Sequence, residues 1–145
     1  MAAKEVSQSV EIAGTPKACF EAITDYESYP EWQKTIHHAA IVEHDDEGRG
    51  SLVEYGIDVL VKRFKYALRY AYGKGLDLSW TLHEGPWKQL DGHYIFEPLG
   101  KKKTRATLTL IVDAGMFVPG PIVKKLNEVL MRGSVESLKA RVEGG

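Results

Sequence analysis

The chain has almost no cysteine: Cys19 is the only one in 145 residues. A single thiol excludes a disulfide framework and any thiolate metal cluster. There is also no apolar run long enough to cross a membrane, and the first dozen residues alternate rather than form a leader. Charge of one sign is equally scarce, with a formal net charge of -1. The only basic run, Lys101-Lys102-Lys103, falls where a hairpin turn is expected. A nucleic-acid footprint needs a basic face, so nucleic acid is not an expected partner. Missing too are HExxH, paired CxxC and a glycine-rich phosphate loop. No metal and no cofactor are expected. These absences leave a soluble, cytoplasmic protein with one domain over residues 1–145, a size at which an apolar core suffices without covalent staples.

Alternation is what the chain has instead. Glu5 to Ile12 places Val6, Val10 and Ile12 on one face. Thr15 and Pro16 then open a short helix, since a threonine caps free N–H groups and proline lacks one. Phe20 and Ile23 form its apolar face, and Tyr26, Tyr29, Pro30 and Trp32 break it into an aromatic hook. A second strand, Ile36 to Glu43, ends at Asp45-Asp46-Glu47-Gly48, a turn signal. Leu52 to Val61 turns Val53, Tyr55, Ile57, Val59 and Val61 inward, and Lys62 to Tyr72 does so with Phe64, Tyr66, Leu68, Tyr70 and Tyr72. Leu76 to Leu82 carries Trp80 inward; Trp87 to Glu97 carries Leu90, Gly92, Tyr94 and Phe96. After a turn over Leu99 to Lys103, Thr104 to Asp113 brings in Ala106, Leu108, Leu110 and Val112. Evenly spaced strands with short turns predict an antiparallel meander with one buried face.

Beyond Pro119-Gly120-Pro121 the spacing predicts one helix reaching about Val142. Its charged stripe of Lys125, Glu128, Arg132, Glu136 and Lys139 is narrow, leaving an apolar arc of roughly 200°. Such a face demands burial on more than one side, as in a helix gripped by a concave sheet. Gly133, Ser134, Ser137 and Ala140 leave room beside that sheet, either for a ligand or for close helix–strand packing.

These elements resemble the polyketide cyclase and coenzyme Q-binding branch of the START-like, helix-grip superfamily. The resemblance spans nearly the whole chain. It rests on Asp25-Tyr26…Tyr29-Pro30…Trp32, on Leu78-Ser79-Trp80, on Asp91-Gly92…Tyr94…Phe96-Glu97-Pro98 and on the terminal helix. It implies an α+β fold: a curved seven-stranded antiparallel sheet wrapped around a long C-terminal helix, with two short helices after the first strand. It also implies an apolar cavity between sheet and helix. Members bind lipids, quinones, sterols, polyketides or plant hormones, and a minority catalyse cyclisation or hydrolysis.

The inward positions make Trp32, Tyr55, Phe64, Tyr66, Tyr70, Trp80, Tyr94, Phe96, Leu108, Phe117, Leu126 and Leu130 the candidate lining. Tyrosines add hydroxyls that need partners when buried, so the interior suits a ring-bearing or oxygenated ligand. Trp32 serves either as a gate or as a core anchor. Met116-Phe117-Val118 fits either a lid that touches a membrane transiently or a plug beneath the helix.

No catalytic residue is assigned. His37 and His38 are adjacent on a strand, which directs them to opposite faces. Cys19 reads as a small buried apolar residue. Arg63 lies near a turn, Arg69 has outward parity, and His93 would face inward only if its register slipped by one. Three functions fit: a carrier of a hydrophobic small molecule, an aromatase/cyclase acting by substrate positioning, or an interaction module of the ribosome- or respiratory-complex-associated type. The shortage of inward acids, bases and arginines favours the carrier.

Overall fold

The computed structural model describes residues 4–59, 62–113, 120–121 and 129–144. Strand β1 (Lys4–Ile12) leads into α1 (Pro16–Thr24), a 3-10 turn (Tyr26–Ser28) and α2 (Tyr29–Trp32). Strands β2 (Ile36–His44), β3 (Gly50–Val59), β4 (Lys62–Tyr72), β5 (Leu78–Glu84), β6 (Gln89–Gly100) and β7 (Lys103–Asp113) follow. A π-helical turn (Val129–Gly133) and α3 (Ser134–Glu143) end the described chain. The strands form one antiparallel seven-stranded sheet in the order β1-β7-β6-β5-β4-β3-β2. This is the antiparallel meander the alternation predicted, in the α+β arrangement the family resemblance implied.

Local chemistry explains the elements that bracket the sheet. The Thr15 hydroxyl accepts the Ala18 N–H at 3.1 Å, and Pro16 occupies the first helical turn. Cys19 and Ile23 are the buried residues of α1, whereas Phe20 is half-buried. Tyr29 donates its hydroxyl to the Ile23 carbonyl, and the Trp32 indole donates to Ser28 Oγ at 3.1 Å. These two bonds fold the hook. At the other end of the molecule Lys139 Nζ donates to the Glu11 carbonyl at 2.7 Å, and the Ala13 N–H donates to Glu143 Oε2 at 2.8 Å. Together they fasten α3 to the end of β1. A Cβ on Gly14 would meet Val142 Cγ1 at 2.6 Å, so only glycine permits this approach.

Inward parity is realised along the strands. Val53, Tyr55, Ile57, Tyr66, Leu68, Tyr70, Leu78, Trp80, Leu90, Tyr94, Ala106, Leu108, Leu110 and Val112 are buried on the concave side, and Met131, Val135 and Leu138 meet them from the helical side. Several boundaries differ from the expectation. Strand β3 is described to Val59, and Val61 lies outside the described residues; β5 begins at Leu78 rather than Leu76. The hairpin between β6 and β7 is tighter than a turn over Leu99 to Lys103, because Gly100 already pairs with Lys103. The terminal helix is not uniform: the π turn gives way to α3 at Gly133, whose own backbone is ordinary right-handed helix.

Two corrections concern facing. A register shift between Ile36 and His38 lets His37 and His38 reach the same outer face. There His37 Nε2 lies 3.9 Å from Asp58 and His38 Nε2 lies 3.4 Å from Glu54. Trp87 does not open β6, which begins at Gln89. It sits in the loop before Gln89, and its indole is buried against Phe64 and Tyr66, with ring centroids 5.7 and 4.9 Å apart. Period-two parity does not extend through a loop.

Candidate ligand pocket

The concave face, the hook and the start of α3 enclose a pocket of about 70 Å³. Strands β3 and β4 contribute Tyr55, Ile57, Tyr66, Leu68 and Tyr70; β5 and β6 contribute Leu78, Trp80, Leu90 and Tyr94. Leu108 and Leu110 come from β7, Ile23 and Tyr29 from the helical hook, and Ser134 from the first turn of α3. Gln33, Thr35 and Ile36, in and after the segment leaving α2, complete the wall.

Of the candidate residues, the fold brings Tyr55, Tyr66, Tyr70, Trp80, Tyr94 and Leu108 together here. Trp32, Phe64 and Phe96 do not line the pocket; all three are half-buried and packed on the core. Phe64 lies beyond the end of β5 against Trp87, and Phe96 stacks on the far side of Tyr94 with centroids 5.4 Å apart. Phe117 and Leu126 lie outside the described residues, as does the side chain of Leu130 on the π turn. Gln33 and Thr35 carried no sequence signal, since neither belongs to a periodic element. Ser134 had one, the row of small residues on the terminal helix.

The rings form a continuous wall. Tyr29 stacks on Tyr55 at 5.7 Å, Tyr55 on Tyr66 at 5.2 Å, and Tyr70, Trp80 and Tyr94 follow one another at 5.8 and 5.9 Å. Trp80 gets its place from Gly92, its cross-strand partner. A Cβ on Gly92 would come within 2.6 Å of the Trp80 ring, so the indole lies over bare backbone.

No Asp, Glu, His, Lys or Arg is among the described residues lining the pocket. Burial pushes the hydroxyls of Tyr29, Tyr55, Tyr66, Tyr70 and Tyr94 above their ordinary value of 10.0. Neighbouring tyrosines reinforce the rise for Tyr29, Tyr55 and Tyr70. All five are therefore neutral hydrogen-bonding groups at physiological pH. Tyr55 and Tyr70 share a hydroxyl–hydroxyl bond of 2.7 Å. Tyr94 Oη is buried and has no hydrogen-bond partner among the described residues, and the same holds for Trp87 Nε1 outside the pocket.

The remaining candidates for chemistry face elsewhere. Arg63 is exposed and donates to Asp58 at 2.9 Å; Arg69 is exposed, 3.5 Å from Glu43. His93 pairs with Thr109 and keeps its outward register, while Gly92 and Tyr94 on either side of it are buried. Cys19 is fully buried, and burial raises its thiol against a weaker opposing contact with Thr104. Tyr26 lies outside the pocket: its hydroxyl meets that of Tyr72 at 2.7 Å, and Tyr72 donates to the Gly50 carbonyl at 2.7 Å. Among the described residues no group of three His, Cys, Asp or Glu is placed to hold a metal, and no helix is long and apolar enough to cross a membrane.

Comparison with known proteins agrees with this architecture. A START superfamily protein from Mycobacterium smegmatis superposes with a TM-score of 0.87 at 26% identity, covering 97% of each chain. The Zhui aromatase/cyclase from Streptomyces sp. R1128 superposes with a TM-score of 0.82 at 17% identity, over 97% of this chain and 94% of that one, a likeness of fold. The ribosome association toxin RatA of Pseudomonas aeruginosa is 27% identical over 108 residues, 74% of this chain and 71% of its own. The family model described as polyketide cyclase / dehydrase and lipid transport matches residues 12–139. The chain belongs to the polyketide cyclase / dehydrase and lipid transport family.

Proposed function

We propose that the protein binds an uncharged hydrophobic small molecule, of lipid, quinone or polyketide-like chemistry, between the concave sheet and the C-terminal helix. The observation that carries this reading is the pocket wall itself: contiguous aromatic rings and leucines, neutral hydroxyls, and no ionisable group charged at neutral pH among its described residues. Such a surface gains by covering an apolar ligand and loses by desolvating a charged one. An aromatase/cyclase would use the same wall by positioning. General acid–base catalysis needs a group that titrates near the working pH, and these tyrosines are pushed away from it, which favours holding a ligand over moving its protons.

The test is native mass spectrometry of the protein purified from its host, followed by melting curves with lipids, quinones and aromatic probes. A co-purifying apolar mass or a rise in Tm supports the reading. No bound mass together with no rise from any probe overturns it. A second reading, ribosome association, is favoured by the likeness to RatA; co-sedimentation with ribosomes on a sucrose gradient supports it, and a profile confined to the top fractions excludes it.

A further inference from the structure

Gln33 enters the pocket wall from the segment leaving α2 and is only 6% exposed. Its backbone is fixed at both polar groups: the N–H donates to the Tyr29 carbonyl at 2.7 Å, and the carbonyl accepts from the Ile36 N–H at 2.9 Å. The side-chain amide has no hydrogen-bond partner among the described residues. Nor is it sealed in protein, as Tyr94 Oη and Trp87 Nε1 are. A carboxamide held this deep loses the hydrogen bonds it would make in water, and a complementary group arriving in the pocket restores them. The other polar groups of the wall offer less. Tyr29 is bonded to the Ile23 carbonyl, and Tyr55 and Tyr70 to each other. Tyr66, Thr35 and Ser134 each bring a single hydroxyl, which rotates to give or to take a hydrogen bond. Gln33 alone sets a donor and an acceptor side by side in one plane.

We propose that Gln33 is the specificity-determining residue of the pocket and selects a neutral ring with a cis amide edge, a lactam or cyclic imide. The ring carbonyl accepts from Gln33 Nε2, and the ring N–H donates to Gln33 Oε1, so two parallel bonds form in one plane. A ketone engages the donor only and leaves Oε1 unpaired; a lactone of the same shape sets a second oxygen against it. A carboxylate repels Oε1 and brings a charge that no Lys, Arg or His among the described lining residues offsets. An open-chain amide in the trans form turns its N–H and C=O to opposite sides. The proposal rests on the reading that the pocket binds uncharged hydrophobic molecules. It adds a nitrogen-bearing ligand class that apolar burial alone does not favour.

The experiment uses two matched pairs in which a ring N–H is exchanged for a ring oxygen: 2-pyridone against 2-pyranone, and 1-isoquinolinone against isocoumarin. Benzene and naphthalene serve as the hydrocarbons of the same ring size. Dissociation constants are measured by ligand-observed NMR for the wild type and for Gln33→Met, which keeps the length of the side chain and removes the amide. The expected result is that the wild type binds the lactam of at least one pair about ten-fold more tightly than its lactone. In Gln33→Met that preference collapses to about two-fold or less, while hydrocarbon affinity is unchanged or improved. Equal binding of lactam and lactone by the wild type overturns the proposal and leaves the hydrophobic-pocket reading standing. So does a preference that survives in Gln33→Met, and so does binding of the hydrocarbons alone. If none of the six probes binds, the hydrophobic-pocket reading fails, and this proposal fails with it.

Discussion

Replacing Gly92 by alanine should destabilise the protein, although the same change in an ordinary strand does the reverse. Glycine in a strand interior costs about 0.5–1 kcal/mol relative to alanine, so without steric conflict Gly92→Ala is a stabilising substitution. Here the new methyl would meet Trp80 Cζ2 at 2.6 Å, Leu110 Cδ2 at 2.7 Å and the Thr109 carbonyl oxygen at 2.8 Å. The first two are side-chain ends that can swing away. The third is backbone in the β6–β7 ladder, where His93 pairs with Thr109, and it moves only with the strand. Overpacking costs about 1–3 kcal/mol, and a backbone contact puts this case at the upper end. Subtracting the intrinsic gain leaves a net loss of about 2 kcal/mol, or about 6 °C in Tm for a chain of this length. Urea denaturation at neutral pH measures it as a lower midpoint at constant slope. In a double-mutant cycle with Trp80→Leu, which costs stability itself, the combined loss should be less than additive because the leucine relieves one of the three contacts. A Gly92→Ala protein as stable as the wild type, or more stable, would refute the reasoning. It would mean the indole and β7 yield freely, and the wall between Tyr70 and Tyr94 would lose its defined height.

Two further outcomes follow from side chains outside the pocket wall. Trp87 is buried with an indole N–H that has no partner among the described residues, so Trp87→Phe, which deletes that donor and keeps an aromatic ring, should stay within about 1 kcal/mol of the wild type while Trp87→Ala loses about 3–5 kcal/mol; equal losses in chemical denaturation would show that the N–H carries no penalty. Glu143 sits below its ordinary value of 4.5 because Lys139 donates to it and the Ala13 N–H does the same. A depressed carboxylate stabilises the fold above its unfolded value and loses that contribution as pH falls through the folded one. The Tm advantage of the wild type over Glu143→Gln should therefore be full at pH 7 and shrink once pH falls below 4.5 and on through the lower folded value; an advantage unchanged at the acid end would contradict the clamp between α3 and β1.

How much of this was legible in the sequence depends on what a two-residue period can encode. Alternation assigns a face, and for the described strand positions between Val53 and Val112 the faces came out as read, because one side of the sheet is buried and a slip would expose every apolar side chain at once. It does not encode distance along the strand. Phe64 and Phe96 point inward as Tyr66 and Tyr94 do, yet they stand past the pocket's rim, one under the Trp87 loop and one behind Tyr94. Nor does it survive irregular backbone. His37 changes its facing at a register shift, and Trp87 is turned inward by a loop whose path depends on where β5 ends. Gln33 and Thr35 reach the pocket through the connection after α2, where no repeating pattern exists.

The chain uses 7 tyrosines, and their hydrogen bonds divide by position in a way no helical or strand period expresses. Tyr26 and Tyr72 pass their protons along a closed relay to the Gly50 carbonyl, with the Arg49 guanidinium 4.3 Å above the Tyr72 ring. Tyr29 gives its proton to the Ile23 carbonyl within the hook. These hydroxyls hold the hook to itself and to the sheet; phenylalanine there would leave Gly50 or Ile23 short of a donor. Deeper in, the pattern reverses. Among the described residues the Tyr55–Tyr70 pair keeps one proton unspent and Tyr94 keeps its own. A core selected only for packing would place phenylalanine at such positions, since a buried unpaired hydroxyl costs more than the methylene-like surface it replaces.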